Sequence, residues 1–467
     1  MNTMNIAMNV AMNTLILLMT GIITHVAFSA PTLPSSPLSE IKLKVEKYVD
    51  KKNGLTVLLV ENHSLPIIAY TTLFKAGSKY ESKGITGATH FLEHMMFKGA
   101  KKYGPAEFDK VIQGNGGVAN AYTSHDNTVY HQTIPAHLLE KVMDIESDRM
   151  QNLLLENNAF EKERQVILEE RKLRYENSPQ GKLYLTIYEN VFKGTPYQGS
   201  VIGSIEDLKT VSRAEIKKYF QQHYSPDNAI LVLVGDFKSE QALALVKKYY
   251  GVIPPAAPTA AAVTVATPPS NVEWNLNLQL HGNAKSPLFF VAFPGYKIGE
   301  HRGYVLDLLS AIIGLGNSSY LMQKYVFAPK PLLSSVSVVH NSLENAGVFF
   351  IMGELLDNVS FDFFRQELDT ELKNICSRSL SERALEKAKN QYFISYFDNL
   401  KVNLGLSQFL GNFEFYFGDY AHYEKEIAEY AAITLSEVKD LCHEIVEKHP
   451  HSYFSIWEKW EERNEKK

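Results

Sequence analysis

Hydrophobic residues in the first half of the chain recur with two periods, which predict alternating strands and helices. Short β-branched runs between turn residues predict strands, and apolar positions three or four apart predict helices. The predicted strands are residues 54–60, 67–75, 118–122, 127–133 and 229–235. The predicted helices are residues 86–99, 105–114, 136–150, 156–177 and 239–250. This mixture indicates an α+β fold.

An Ala/Pro-rich segment, residues 253–272, has no core-forming pattern and predicts a linker. Beyond it the order of elements repeats. Strands are predicted at residues 276–281, 287–293, 333–340 and 346–354, and helices at 301–314, 360–375, 381–398 and 423–447. The two halves share no obvious sequence identity, but their strands and helices follow the same order, so we infer a duplication. We therefore expect two homologous α/β halves, at residues 38–252 and 273–467.

Length and charge agree with this organisation. A chain of 467 residues is too long for one compact core, and its 45% hydrophobic and 21% charged residues are ordinary for globular proteins. The formal net charge is −5 and no basic block occurs, so we expect no nucleic-acid partner.

The N-terminal segment differs from the rest because residues 1–34 contain no charged side chain. A nearly continuous apolar run, residues 15–28, is followed by Ser29 and Ala30. This pattern predicts a signal peptide over residues 1–30 and export to the periplasm or the cell exterior, although the usual basic start is missing. The run is short for a membrane span and contains His25, so we expect no stable span after its removal.

The chain has two cysteines, Cys376 and Cys442, both in the second half. An exported protein can oxidise such a pair to a disulfide. Two buried free thiols are an equal alternative, because the sequence does not give the distance between them.

The most informative chemistry lies in residues 90–94, His-Phe-Leu-Glu-His, within an apolar helical run. Positions i, i+3 and i+4 share one face of a helix, so His90, Glu93 and His94 project together. Two neutral imidazoles can bind zinc, and the carboxylate can act as a base on a metal-activated water. This order is the H-x-x-E-H motif. Two helix histidines with a surface ion pair are the alternative.

A zinc site of this kind needs a third protein ligand. The helical segment at residues 160–172 contains Glu161, Glu163, Glu169 and Glu170. Glu163 and Glu170 are two turns apart and share a face, so one can bind the metal while the other holds a ligating histidine. A solvated charged helix is the alternative for such a segment.

Three segments in this order resemble the pitrilysin/insulinase-type zinc metalloproteases. They are residues 84–99, which contain the motif, residues 116–124, and residues 163–170, with Glu170 76 residues after His94. In the second half the resemblance rests on element order alone. It implies a zinc endopeptidase of the processing-peptidase-like metallohydrolase type, with two halves arranged like a clamshell.

The same resemblance assigns residues to roles. His90, His94 and Glu170 correspond to the ligands of one Zn²⁺ per chain. Glu93 corresponds to the general base, and Glu163 to the acidic residue beside the ligands.

Asn120 and Ala121 correspond to a strand edge on which an extended peptide substrate pairs. The unpaired N–H and C=O groups of such an edge fix a peptide with little dependence on its sequence. An ordinary turn residue before a strand is an equal alternative for Asn120.

Active members of this family usually complete the site with an Arg and a Tyr, seven residues apart, from the C-terminal half. Both stabilise the oxyanion. Aligning the small-residue turn at 316–319 and the strand start at 346–349 puts Val326 at the Arg position and Leu333 at the Tyr position.

No Arg occurs between Arg302 and Arg365, so no small shift of register restores the pair. Lys324 or Lys330 could substitute, but an ammonium lacks the planar fork of a guanidinium. The pattern resembles family members that act as heterodimers, and we expect a homologous partner chain that supplies the Arg/Tyr pair. A catalytically silent scaffold and a metal-carrying peptide-binding subunit of the same fold are the competing interpretations.

Overall fold

The computed structural model describes residues 43–256, 274–282 and 284–457. The predicted signal peptide and most of the predicted linker lie outside these residues. Within them, the first half contains a six-stranded sheet and the second half a five-stranded sheet. None of the helices in the described ranges is both long and apolar enough to cross a membrane.

The first half contains six strands and eight helices. The strands are β1 (Glu46–Val49), β2 (Thr56–Glu61), β3 (Ile67–Phe74), β4 (Val118–Thr123), β5 (Thr128–Pro135) and β6 (Ala229–Gly235). The helices are α1 (Ala88–Met95), α2 (Glu107–Ile112), α3 (Leu139–Asn152), α4 (Asn157–Arg171), α5 (Pro179–Val191), α6 (Ile205–Thr210), α7 (Arg213–His223) and α8 (Ser239–Tyr249). A π-helical turn, Lys172–Glu176, follows α4.

The second half contains five strands and seven helices. The strands are β7 (Asn277–His281), β8 (Leu288–Pro294), β9 (Leu333–Ser342), β10 (Gly347–Leu355) and β11 (Ser452–Trp457). The helices are α9 (His301–Gly314), α10 (Phe361–Leu372), α11 (Ile375–Ser379), α12 (Glu382–Leu400), α13 (Asn403–Phe417), α14 (Tyr423–Ala432) and α15 (Leu435–Cys442). Further π-helical turns lie at Met322–Val326 and His443–Lys448.

The two sheets repeat one pairing scheme, which confirms the predicted α+β fold of two similar halves. The first sheet has the order β1-β2-β6-β3-β5-β4 and the second the order β7-β11-β8-β10-β9. Each sheet has one parallel pair of strands, β2 with β6 in the first sheet and β7 with β11 in the second. All other pairs are antiparallel.

Each sheet is covered on one face by a helix from the other half. Helix α13 packs on β3 and β6 of the first sheet, and α5 packs on β8 and β11 of the second. Gly411 allows the close approach of α13, since a Cβ there would lie 2.5 Å from Leu73 Cδ1. The buried Thr71 and Ser407 hydroxyls share a hydrogen bond of 2.7 Å across this contact.

The sequence prediction misses strands β1 and β11 and helices α5, α6, α7, α11 and α13, and it joins α14 to α15. Helix α13 is buried against two halves and has a broad apolar surface, with Leu406, Leu410 and Phe415 buried against the first sheet. It therefore lacks a clear polar face on which a periodicity argument depends. The predicted helix at 423–447 is broken because Thr434 caps α15 through a capping box with Glu437.

A buried ion pair of the first half also contacts the second half. Lys79 Nζ lies 2.8 Å from Asp126 Oδ1, and the two side chains are 1% and 2% exposed. Lys79 also pairs with Glu344, which lies in the turn between β9 and β10. Tyr197 donates a hydrogen bond of 2.8 Å to Asp126, and its hydroxyl accepts one from the backbone N–H of Asn345. This network holds the β9–β10 turn against the loop that follows β4.

We expect Asp126→Asn to lower the free energy of unfolding by about 3 kcal/mol, because it leaves a buried ammonium without its main partner. Denaturation in urea measures this change. The control is Glu107→Gln, which removes an exposed ion pair with Lys110 and should leave the unfolding midpoint unchanged. Equal midpoints for the Asp126→Asn and wild-type chains would contradict this account.

Candidate metal centre

Helix α1 carries the H-x-x-E-H residues, and two glycines fix its start. Gly87 precedes the helix with φ of +89°, and a Cβ there would lie 2.3 Å from the carbonyl oxygen of Ile202. Gly203 faces it with φ of +88°, and its Cβ would lie 2.2 Å from the carbonyl oxygen of Thr86. The Glu81 carboxylate accepts hydrogen bonds from the N–H groups of Gly87 and Thr89. The first turn of α1 is therefore held on two sides.

Helix α4 lies against α1 and brings the second part of the site. Phe91, next to His90, stacks on Phe160 at 4.4 Å between ring centroids, and both rings are fully buried. From this contact α4 runs along α1, so that Glu163 and Glu170 reach His94 from two sides. The predicted shared face of these two carboxylates is thus the face that α4 turns toward α1.

The structure brings His90, His94 and Glu170 together. Glu170 Oε2 lies 3.2 Å from His94 Nε2, and Glu170 Oε1 lies 3.8 Å from His90 Nε2. The three donor atoms lie within 4.8 Å of one another. Zinc–ligand bonds of about 2.1 Å in a tetrahedral site separate ligand atoms by about 3.4 Å. The donor types and their spacing fit zinc.

Charge and burial act differently on the three donors. Burial and the nearby His94 lower the pKa of His90 to about 3, which keeps this imidazole neutral. Burial alone would lower the pKa of His94, but its hydrogen bonds to Glu163 and Glu170 raise it to about 9. Burial alone would raise the pKa of Glu170, yet His94 and the charges around it lower it to about 2. Near neutral pH His94 therefore carries the proton and Glu170 the negative charge.

Glu93 lies on the same helix face but is not one of the grouped donors. It is 6% exposed, and Thr123 Oγ1 donates a hydrogen bond of 2.5 Å to Glu93 Oε2. Burial raises the pKa of the Glu93 carboxyl, and the bond from Thr123 offsets only part of that increase. A carboxyl with a raised pKa is suited to accepting and returning a proton.

Asn120 and Ala121 lie on β4, the last strand of the first sheet, which pairs with β5 on one side. Asn120 is exposed and Ala121 is buried, while Val118 at the start of the strand is 68% exposed. Because Thr123 at the end of β4 bonds to Glu93, this sheet edge runs directly to the metal centre.

Sequence reasoning missed three residues that contact the site. Thr123 bonds to Glu93, Lys98 Nζ lies 2.6 Å from Glu163 Oε1, and Arg174 Nη2 lies 2.8 Å from Glu170 Oε1. Arg174 is four residues after Glu170, a spacing at which side chains of a helix meet, so its contact was predictable. Thr123 and Lys98 carry no comparable signal, because their contacts depend on how β4 and α4 pack against α1.

Comparison with known proteins finds two family domains in succession along the chain. The insulinase family, peptidase family M16, matches residues 56–204, and the peptidase M16 inactive domain matches residues 210–392. Zinc protease PqqE of Helicobacter pylori is 32% identical over 375 residues, which are 79% of this chain and 83% of that protein. The chain belongs to peptidase family M16.

Two solved structures resemble the structure of this chain. A crystal structure of a protease from Helicobacter pylori has a TM-score of 0.81 and 26% identity, with 89% of this chain and 99% of that one covered. The first half of the periplasmic protease PqqL from Escherichia coli has a TM-score of 0.70 and 19% identity, covering 89% and 92%. At 19% identity, the second structure shows similarity of fold alone.

Val326 and Leu333, the residues aligned with the Arg/Tyr pair, lie within the segment that matches the M16 inactive domain. Val326 is half-buried at the end of a π-helical turn, and Leu333 is buried at the start of β9. Lys324, one of the two lysines weighed as substitutes, lies 2.8 Å from the buried carboxylate of Glu371. Lys330 is exposed. Lys324 is therefore committed to an ion pair inside its own half.

We expect Glu163→Gln to weaken zinc binding about 10- to 100-fold, because it removes the charge that orients the His94 imidazole. Competition with a chromogenic chelator measures the affinity. Glu169→Gln is the matched control, since Glu169 lies on the same helix with its side chain 68% exposed. Equal affinities for the two variants would remove Glu163 from this role.

Proposed function

We propose that this chain is a zinc-dependent endopeptidase that hydrolyses extended peptides. The observation that carries the proposal is the convergence of His90, His94 and Glu170 at distances that fit zinc, with Glu93 beside them. The zinc-protease name of PqqE supports the same reaction class.

The roles of the residues follow from their chemistry. Zinc held by the two histidines and Glu170 would polarise the scissile carbonyl and acidify the attacking water. Glu93 removes a proton from that water and then delivers it to the leaving amide nitrogen. Its buried position and its bond from Thr123 hold the carboxylate in one orientation for both transfers. Glu163 holds the His94 ring through Nδ1, at 3.2 Å.

The substrate binds as an additional strand on β4 in this proposal. The free edge of β4 offers backbone groups to an extended peptide, and Asn120 and Ala121 lie in the middle of that edge. Thr123 joins the same strand to Glu93, so a peptide aligned on β4 brings its backbone to the reacting carboxylate. Recognition through the backbone favours substrates without a strict sequence.

A catalytically silent scaffold or peptide-binding subunit is the second candidate. The M16 inactive-domain match covers residues 210–392, most of which lie in the second half, and favours such a role for that half alone. In the first half all four chemical groups are present and adjacent, which favours turnover. A peptidase and a silent, metal-carrying subunit would both bind zinc, and only the peptidase would cleave peptides.

We expect Glu93→Gln to abolish peptide cleavage and to retain about one zinc per chain, because Glu93 is a base and not a ligand. Glu170→Ala should lose both zinc and cleavage, and the control Glu169→Ala should keep both. Metal analysis and cleavage of an unstructured peptide measure the two properties. Cleavage by the Glu93→Gln chain at the wild-type rate would refute the mechanism. If Glu169→Ala lost zinc and Glu170→Ala kept it, the third ligand would be Glu169.

We further propose that the chain is the metal-bearing subunit of a heterodimer. Its second half has no Arg between Arg302 and Arg365, so this chain lacks the guanidinium that would stabilise the oxyanion. A homologous chain with an Arg and a Tyr at those positions would supply both donors.

We expect the purified chain to bind zinc and to cleave peptides poorly. Addition of the partner chain should raise the rate about 10²- to 10³-fold, the usual effect of one oxyanion donor. A partner with its Arg changed to Lys is the control and should give little increase. Full activity of the homogeneous, isolated chain would exclude the partnership.

Export of the mature chain, from about residues 30–31, is part of the proposal. It rests on the uncharged, apolar segment at residues 1–34. The disulfide between Cys376 and Cys442 supports an oxidising location.

A further inference from the structure

Three potential ligands converge in the second half beside a further cysteine, away from the residues of the candidate metal centre. Cys376 in α11 and Cys442 at the end of α15 form a disulfide, with their Cα atoms 5.8 Å apart. His443 and Glu447 lie in the π-helical turn that continues α15. The donor atoms of Cys376, His443 and Glu447 all lie within 4.8 Å of one another.

Hydrogen bonds organise this cluster around one carboxylate. Glu447 Oε2 lies 2.5 Å from His443 Nδ1, and Glu447 Oε1 accepts a hydrogen bond of 3.3 Å from the backbone N–H of Cys376. Glu447 therefore contacts both chain segments that the disulfide joins. His443 follows Cys442 directly, so the imidazole is tied to the second sulfur through the backbone.

Burial gives the cluster a closed side and an open side. Cys376 and Cys442 are 1% and 0% exposed, whereas the side chains of His443 and Glu447 are 43% and 15% exposed. An ion can enter past the imidazole and meet sulfur atoms shielded from water. The π-helical turn beneath His443 and Glu447 is a rare conformation that occurs often at functional sites.

We propose that reduction of the Cys376–Cys442 disulfide creates a second metal site, formed by two thiolates, His443 and Glu447, for a thiophilic divalent cation such as Zn²⁺. Two sulfurs, one imidazole and one carboxylate are a complete tetrahedral ligand set for this ion. In the oxidised chain the two sulfurs are bonded to each other and carry no negative charge, so they bind a divalent cation poorly.

The redox step balances with a dithiol as reductant. The dithiol passes two electrons and two protons to the disulfide, so that the S–S bond breaks, two thiols form and the dithiol becomes a disulfide. Binding of the cation then releases the two thiol protons to solvent. The covalent link between α11 and α15 is replaced by a coordinated one, and the two helices stay joined in both states.

Co²⁺ tests the proposal in the full-length wild-type chain. A near-ultraviolet thiolate-to-cobalt band can arise only from Cys376 and Cys442, because the chain has no other cysteine. We expect no band in the oxidised chain. After reduction by a dithiol and anaerobic removal of that reagent, we expect a band that saturates at one Co²⁺ per chain, which Zn²⁺ then displaces.

Variants separate this site from adventitious thiol binding. Cys442→Ser should lose the band, and His443→Ala combined with Glu447→Gln should weaken Co²⁺ binding about tenfold or more. His449→Ala is the matched control, since His449 is a half-buried histidine just beyond the same turn. Circular dichroism checks the fold of each reduced chain.

Three results would overturn the proposal. They are a reduced, folded wild-type chain without the band, an unchanged affinity in the His443→Ala/Glu447→Gln chain, and a disulfide that resists the dithiol until the chain unfolds.

Discussion

The candidate site depends on the contact between α1 and α4. Its potential ligands come from two helices whose donor residues, His94 and Glu170, are 76 positions apart. The buried stack of Phe91 on Phe160 fixes the distance between the helices, and the glycines at 87 and 203 fix where α1 begins. A displacement of α4 by a few tenths of an ångström would change each donor distance. Apolar packing has no preferred direction, but here it holds the two helices at the spacing that brings the potential ligands together.

The interface between the halves also fixes the end of β4. Lys79, Asp126 and Glu344 link the loop after β4 to the turn between β9 and β10. Because β4 also bonds to Glu93 through Thr123, the same strand is held at its end by both halves. Residues of the second half therefore help to hold the end of β4, while His90, His94 and Glu170 all come from the first half.

The sequence was sufficient for the parts of the fold that have a simple period or a fixed spacing. All nine predicted strands are present with ends shifted by no more than two residues, and the helix carrying His90 and His94 is shorter than predicted but in place. Helix α13 was missed because burial on two sides removes its polar stripe. The break at Thr434 was overlooked although its capping box is visible in the sequence. The contacts of Thr123 and Lys98 depend on tertiary packing, and no local pattern reveals them.

Each half contributes one helix to the sheet of the other half, α5 to the second sheet and α13 to the first. This arrangement suggests how a chain of two halves can arise. A solitary half would leave one face of its sheet uncovered, since the helix that it needs belongs to the other half. Two identical halves related by a twofold axis would each lend the missing helix to the other, and both sheets would be closed at once. The present topology is the one expected from gene fusion of such a dimer. Once the copies were joined, the sequence of one was free to lose its ligands while its helix remained indispensable to the other.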